Sequence, residues 1–317
     1  MLNLSKELEN AKTIGISGHI RPDGDCVGST MGLYLYLKKN KPDATVRIFL
    51  EKPADIFSCI KDIELVEDAS ACDEVFDFFF CLDCSKDRLG DAEHLFDNAK
   101  KTVNIDHHRT NAGCGDFNYI NAEASSASEL VYELLSYEKL DKDIAEALYI
   151  GIIHDTGVFQ YSNTSPHTLN IASELIAFGF NFPKLIEETF YQKTYLQTQI
   201  LGRALLESLM VMDGKVAVSV IDLKMMDFYG VTPQDLDGIV NQLRNIKGVD
   251  VAIFLYQLRT MEYKVSLRSN ENVDVSKVCA YFGGGGHMRA AGCTMEGTSH
   301  DIVNNITREI EKQIKNS

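Results

Sequence analysis

His19-Ile20-Arg21-Pro22-Asp23-Gly24-Asp25-Cys26-Val27-Gly28-Ser29 is the stretch on which the fold turns. Before it stands Thr13-Ile14-Gly15-Ile16-Ser17, a short apolar run with the pattern of a strand. After it comes Met31-Gly32-Leu33-Tyr34-Leu35-Tyr36-Leu37-Lys38-Lys39, an apolar run of helical length closed by lysines. The stretch is therefore a strand-to-helix loop, the place where an open α/β sheet presents its ligands. It holds one imidazole and two carboxylates, and Pro22 and Gly24 interrupt regular structure so that these side chains can converge. Carboxylates this close repel each other unless a cation sits between them. The stretch alone leaves two readings open: half of a metal site, or a solvated Asp-Gly turn with an incidental histidine.

Outward from this loop, strands and acidic ends recur. Ala44 to Leu50 reads as a second strand. Val75-Phe76-Asp77-Phe78-Phe79-Phe80-Cys81-Leu82 is near-continuously apolar, as a parallel strand buried on both faces should be, and it ends at Asp83. Lys101 to Ile105 is a further strand, ending at Asp106-His107-His108, and Phe117 to Ile120 is a fifth candidate. In a parallel sheet such ends share one edge, so residues distant in sequence meet there. One short helix is expected within 51–72. Helices are expected over about 126–136, 141–153, 166–178 and 183–191, the second running into His154-Asp155-Thr156-Gly157. A long helical stretch over 195–209 is the candidate connector between domains. Beyond the Asp213-Gly214 turn the chain reads as a strand over 216–221, a helix over 232–245, a strand pair over 249–258 and 262–267, and helices over 274–282 and 301–314.

Length and composition frame this pattern. At 317 residues the prior is two domains, and 45% hydrophobic with 24% charged residues is ordinary for a globular protein. The net charge of -15 argues against a protein that tracks long duplex nucleic acid, which shows a basic face. It leaves room for a short anionic substrate held by a few arginines and cations. The N-terminal residues lack the apolar core of a signal peptide, and no apolar run approaches the ~20 residues of a membrane helix. A cytoplasmic protein without a membrane partner is expected. The eight cysteines would then stay reduced. Cys81-Leu82-Asp83-Cys84 has C-x-x-C spacing, but it ends an apolar run and no second pair accompanies it, so packing is the better account.

The chemistry-bearing candidates are His19, Asp23, Asp25, Asp83, Asp106, His107, His108 and Asp155. Each alone has a bland reading: a helix cap, a turn, a histidine satisfied by backbone. Four separate segments placing such residues at one sheet edge by chance is a poorer account. Mixed imidazole and carboxylate ligands suit Mn²⁺, with Mg²⁺ or Co²⁺ as alternatives. One carboxylate bridging two cations makes a binuclear centre, which activates a water and steadies the oxygens of an in-line phosphoryl displacement. A second constellation is Phe282-Gly283-Gly284-Gly285-Gly286-His287-Met288-Arg289-Ala290-Ala291-Gly292. Its glycines can turn several backbone N–H groups toward an anion, although a flexible turn explains the glycines alone. His287 and Arg289 strengthen the anion reading, and Arg268, ending a strand, adds a possible bidentate phosphate contact.

His19-x-x-Pro22-Asp23-x-Asp25-x-x-Gly28-Ser29, Asp83, Asp106-His107-His108 and Asp155 resemble the four motifs of the DHH phosphoesterases. Gly284-Gly285-Gly286-His287-x-x-Ala290-Ala291-Gly292 resembles the glycine motif of their DHHA1 domain, and the whole is most similar to the bacterial nanoRNase/pAp phosphatase branch. The resemblance implies that His19, Asp23 and Asp83 hold one Mn²⁺, and that Asp25, Asp83, His107 and Asp155 hold a second, with Asp83 bridging. It implies that His108 faces the scissile phosphate, that Asp106 orients its neighbours, and that Arg268, Gly285, Gly286 and His287 bind substrate. Cys26, where relatives often carry a smaller residue, departs mildly from the pattern.

The expectation is an α/β protein: a parallel-sheet DHH domain over 1–192, a connector helix over 193–212, and a smaller mixed α/β DHHA1 domain over 213–317. The expected reaction is metal-dependent hydrolysis of phosphoesters. The resemblance implies short single-stranded oligoribonucleotides, cut to mononucleotides, and the 3′-phosphate of adenosine 3′,5′-bisphosphate as substrates. The alternatives are a cyclic or linear dinucleotide phosphodiesterase of the same family and a non-catalytic nucleotide sensor. The sequence leaves a homodimer open.

Overall fold

The structure is a computed structural model that describes residues 4–315. Cα packing divides it into a first unit ending at Gln192 and a second beginning at Lys193. The first unit is built on five parallel strands: β1 (Thr13–Ser17), β2 (Thr45–Phe49), β3 (Phe78–Leu82), β4 (Thr102–Asp106) and β5 (Phe117–Ile120). Their order is β2-β1-β3-β4-β5. The alternation of the pleat sorts their side chains onto two faces. Ile14, Ile16, Ile48, Phe80, Leu82 and Ile105 join the core shared with the helices Gly24–Asn40, Ala127–Leu134 and Lys142–Asp155. Phe49, Phe79 and Cys81 face the other way, into a smaller core with Phe76 and Phe96. Burial on both faces explains the continuous apolar run of β3, whose five residues are all buried.

Two helices cross unusually closely on the larger face. A Cβ added to Gly28 would lie 2.5 Å from the backbone N of Gly151 and 2.7 Å from the carbonyl O of Ala147. Glycine at position 28 allows Gly24–Asn40 and Lys142–Asp155 to approach so near, while a Cβ on Gly151 would meet Ser128 of the helix Ala127–Leu134. Their polar ends, with Asp25 and Asp155, are thereby brought to one edge of the sheet.

The second unit carries a six-stranded mixed sheet: β6 (Leu209–Val211), β7 (Val216–Ile221), β8 (Val251–Arg259), β9 (Glu262–Ser269), β10 (Gly285–His287) and β11 (Ala290–Glu296). The order is β10-β11-β9-β8-β7-β6, with β7 and β8 parallel and the other pairs antiparallel. One face is covered by the helices Val275–Tyr281 and Ser299–Lys315, the other by Tyr195–Leu206 and Ile239–Arg244.

Several elements differ from the sequence expectation. The stretch read as a connector over 193–212 holds the shorter helix Tyr195–Leu206, then β6, which pairs with β7. Ile200 and Ala204 are fully buried against Ala217 and Ile221, so this helix is part of the second unit's core. The helix read over 232–245 is broken: a 3₁₀ turn at Pro233–Leu236 ends in extended Asp237 and left-handed Gly238, and a helix restarts at Ile239. Residues 51–72 form three 3₁₀ turns where one helix was expected. The helix expected over 183–191 relaxes into a π turn at Glu187–Tyr191. In each case a local helical pattern yielded to turn chemistry or sheet pairing. Among the described residues no helix is long and apolar enough to cross a membrane.

Candidate active site

The strand order reverses between β1 and β3, and the crevice at such a switch point is where open α/β sheets bind ligands. His19 leaves the end of β1 and Asp83 follows β3 directly. Asp106 is the last residue of β4, and His107 and His108 come next. Asp23 caps the helix Gly24–Asn40, Asp25 lies in its first turn, and Asp155 ends Lys142–Asp155.

His19 is 4% exposed, and its Nδ1 meets the carbonyl O of Ile20 at 2.8 Å. That contact assigns the Nδ1–H tautomer to a neutral ring and turns Nε2 toward the carboxylates. Nε2 lies 3.6 Å from Asp23 Oδ1 and 3.4 Å from Asp83 Oδ2. On the other side, His107 Nε2 lies 3.8 Å from Asp25 Oδ2, 3.5 Å from Asp83 Oδ1 and 3.6 Å from Asp155 Oδ2. The two oxygens of Asp83 thus face different groups. Asp83 is 2% exposed and sits at φ 59°, a left-handed conformation unusual for a residue with a side chain. Its amide donates to the Ile105 carbonyl at 2.9 Å, while its buried Oδ1 has no hydrogen-bond partner.

Separations of 3.4–3.8 Å are longer than charge-assisted hydrogen bonds, which run about 2.7–2.9 Å. They suit donor atoms arranged around a cation. His19, Asp23 and Asp83 form one such group, and Asp25, His107 and Asp155 another. The orphaned, buried Asp83 oxygen is the observation that fits these residues to metal binding. A third grouping adds Asp106 and His108 to Asp83 and His107. There Asp106, fully buried, accepts from His108 N at 3.1 Å, meets His108 Nδ1 at 2.7 Å and accepts from Asn111 Nδ2 at 2.6 Å.

Electrostatics follow from this crowding. Burial would lower the His19 pKa, but the Asp23 and Asp83 carboxylates beside its Nε2 outweigh it and hold the ring up at about 11. His107 is likewise drawn down by burial and lifted to about 10 by the adjacent carboxylates of Asp83, Asp155 and Asp25. Asp25 is pushed well above the carboxylate range by burial and by the charges of Asp83 and Asp155. Asp155 is raised to about 7 by desolvation, His107 opposing and Asp83 and Asp23 adding to the rise. The site is an acidic cluster that, without a cation, takes up protons in its place.

Supporting residues that the sequence reading missed hold these groups. Asp25 accepts from the amides of Ala127 at 2.6 Å and Ser128 at 2.9 Å, in the first turn of the helix Ala127–Leu134. Asn111 bridges Asp106 and Asn104, and Asn163 reaches Asp155 Oδ2 at 3.3 Å. A Ser126 cap before Glu129 was a legible helix start. Nothing local marked either asparagine.

In the second unit the glycine motif is a hairpin: β10 pairs with β11. Arg268 of β9 pairs with Ala290, and Ala290 pairs with His287, so one row across three strands carries all three. The His287 side chain lies outside the described residues. Gly286 has φ 143°, and a Cβ there would meet the Ala290 carbonyl at 2.5 Å, so its neighbour strand requires glycine. Arg268 is half-buried and donates Nη1 to the Leu267 carbonyl at 3.0 Å. Gly285 is open on its Cβ side.

A parallel sheet with this ligand edge is followed in the chain by a separate mixed-sheet unit. The family described as "DHH family, N-terminal domain" matches residues 13–152, and the DHHA1 domain matches residues 213–316. A probable bifunctional oligoribonuclease and PAP phosphatase NrnA of Streptococcus mutans is 30% identical over 311 residues, covering 96% of this chain and 94% of the relative. The bifunctional oligoribonuclease and PAP phosphatase NrnA of Bacillus subtilis is 27% identical over 96% of this chain and 95% of its own. An exopolyphosphatase-related protein from Bacteroides fragilis has a solved structure similar to this one at TM-score 0.88 and 25% identity, over 97% of this chain and 94% of that one. RecJ from Thermus thermophilus shares the fold at TM-score 0.55 and 13% identity, over 98% of this chain and 53% of RecJ. The chain belongs to the DHH family of phosphoesterases, with a DHHA1 domain following the DHH domain. Within that family, it matches relatives named NrnA along nearly their whole length.

Proposed function

We propose that this protein hydrolyses short single-stranded oligoribonucleotides to mononucleotides and removes the 3′-phosphate of adenosine 3′,5′-bisphosphate, using two Mn²⁺ ions. The observation that carries the metal reading is Asp83, whose two buried oxygens face two separate ligand groups. Its closeness to relatives named oligoribonuclease and PAP phosphatase supports the substrate reading. His19, Asp23 and Asp83 would hold one ion, and Asp25, Asp83, His107 and Asp155 the other. Bound there, the ions would supply a water of lowered pKa and charge stabilisation for the phosphoryl oxygens. RecJ, of the same fold, has been solved with Mn²⁺ and with Mg²⁺.

The chain's own residues then divide the work. Asp106 holds His108 through Nδ1 and so fixes the orientation of the ring that would face the scissile phosphate. Arg268 offers a guanidinium to a second phosphate, while Gly285, Gly286 and His287 form the hairpin beside it. The test is a set of labelled RNAs of two to twenty-four nucleotides together with the bisphosphate, assayed with chelator and then with Mn²⁺. Mononucleotide release that stops on chelation and returns with Mn²⁺ is expected. Hydrolysis confined to cyclic or linear dinucleotides would move the protein to the dinucleotide phosphodiesterases. Tight nucleotide binding without turnover would make it a sensor.

A further inference from the structure

Asp155 is followed by a costly piece of backbone. Gly157, Val158 and Phe159 take φ of 57°, 55° and 65°, three left-handed residues in succession. L side chains disfavour this conformation, and a β-branched residue such as Val158 disfavours it most. Buried Thr156 pins the turn. Its hydroxyl donates to the Ile152 carbonyl at 2.6 Å and accepts from the Phe159 amide at 3.1 Å, while its carbonyl accepts from the Tyr161 amide at 2.9 Å. Backbone held in so unfavourable a form clusters at functional sites. This turn folds Asn163 back onto Asp155. Asn163 Nδ2 reaches three oxygens: the Ser125 carbonyl at 2.9 Å, the Asp155 carbonyl at 3.2 Å and Asp155 Oδ2 at 3.3 Å. Two of the three are backbone carbonyls, which only accept, so the amide nitrogen must be the atom that faces them. Asn163 Oδ1 is buried with no hydrogen-bond partner among the described residues. The side chain keeps its donor on these oxygens although that leaves an acceptor unmatched.

Asp155 Oδ2 is also the oxygen 3.6 Å from His107 Nε2, so Asn163 reaches the atom turned toward the second ligand group. The Ser125 contact serves the same group by another route. Ser125 precedes the cap Ser126, and the first amides of the helix that follows, those of Ala127 and Ser128, hold Asp25. Buried Glu129 clasps the same two segments again, its Oε2 accepting from Ser125 Oγ at 2.5 Å and from Thr168 Oγ1 at 2.7 Å. One carboxamide thus joins the supports of both carboxylates in this group, and its three oxygens belong to neither His19 nor Asp23. We propose that Asn163 is a positioning residue that sets the metal affinity of the Asp25–His107–Asp155 group selectively, leaving the His19–Asp23 side unaffected. A neutral amide orients a carboxylate without neutralising it, so the negative charge is left for the cation. Without Nδ2, the Asp155 carboxylate is free to turn and the helix start beside Asp25 loses a tether. This role presupposes the reading of two metal-binding groups and adds what tunes one of them.

The test uses the full-length protein, with Mn²⁺ binding followed by calorimetric titration and by the paramagnetic resonance signal of free Mn²⁺. Wild type should take two Mn²⁺ ions. In Asn163→Ala one binding step should weaken by roughly tenfold or more and the other by less than about twofold. Asn163→Leu nearly keeps the volume and removes the donor; it should weaken the same step, which separates the lost contact from a lost volume. A double-mutant cycle assigns the step. In an Asp155→Asn background the loss of Asn163 should add little, whereas in an Asp23→Asn background the two losses should add. Activity lost at low Mn²⁺ should return as Mn²⁺ is raised, a rescue that a misfolded chain does not show. Equal weakening of both steps, or of neither, overturns the positioning role and leaves the phosphoesterase reading standing. Full additivity with Asp155→Asn overturns it as well. If wild type takes two Mn²⁺ ions but has no phosphoesterase activity, that reading fails, and the titrations still decide the role of Asn163. A wild type that takes only one Mn²⁺ ion overturns the two-ion reading and this role with it.

Discussion

Asp83 is the residue on which the site depends. It lies at the end of the most buried strand, its two oxygens face different ligand groups, and one of them has no hydrogen-bond partner. Asp83→Asn keeps the size and removes the charge that both groups share. Turnover should fall at least a thousandfold, about 4 kcal/mol in barrier, with loss of bound Mn²⁺. Turnover within tenfold of wild type would contradict a shared ligand. The histidines predict a pH effect whose sign is fixed. In the metal-free protein His19 and His107 are raised to about 11 and about 10, from 6.5. Their pairing with aspartates therefore contributes fully below pH 6.5 and is lost as the pH rises through 10–11. A cation must displace those protons, so Mn²⁺ affinity should rise with pH and binding should release protons. The gap in melting temperature between Mn²⁺-loaded and chelated protein should widen from pH 6.5 to 9; calorimetry in two buffers of different ionisation enthalpy counts the protons. Arg268→Ala, outside every metal-facing group, should weaken substrate use by on the order of 1.5–3 kcal/mol and leave Mn²⁺ content unchanged. Loss of metal from that variant would sink the division of roles.

At the level of elements, the crossing of Gly24–Asn40 over Lys142–Asp155 decides whether Asp25 and Asp155 reach the same edge. The obstacle a Gly28→Ala methyl would meet is backbone: Gly151 N and Cα, and Ala147 O. Backbone cannot rotate away, so the helices must separate, at about 1–3 kcal/mol of stability, with activity reduced beyond that loss. Gly32 offers a control on the same helix. Its added methyl would press on the tip of the Leu148 side chain, at 2.5 Å from Cδ2, which can change rotamer. Gly32→Ala should therefore shift the urea midpoint less than Gly28→Ala. Equal shifts would mean that the close crossing does not govern the packing.

For the whole molecule, charge limits the substrate. The chain carries 46 acidic and 31 basic residues, a net charge of -15. Long nucleic acid gains affinity when many phosphates meet many cations, and this composition supplies no such track. Under the proposed function, favourable contacts are expected only at the ligand edge of the first unit's sheet and at the Arg268 row of the second. Further phosphates meet a repulsive surface, weakly screened at low salt. Single-stranded RNA of two to about five nucleotides should be degraded faster than a twenty-four-mer, and duplex hardly at all, in steady-state kinetics at matched ionic strength. Equal or better efficiency on the long strand would place the protein with processive exonucleases.

Local pattern along the chain was enough to define the parallel sheet of the first unit and the segments that carry its site. The continuously apolar strand ending in Asp83 reads as buried on both faces, and parallel strands share one edge for their ends, where Asp106-His107-His108 also stand. Tertiary structure decided what local pattern does not encode. The 195–206 helix joined a core and β6 entered a sheet because burial and pairing outweighed helical propensity there. The broken helix at Gly238 followed from a left-handed residue that periodicity cannot reveal. Asn111 and Asn163 carry no motif; each matters only because folding sets it against a buried carboxylate. Distances between side chains are set by how helices and strands pack, and that packing is a property of the whole chain.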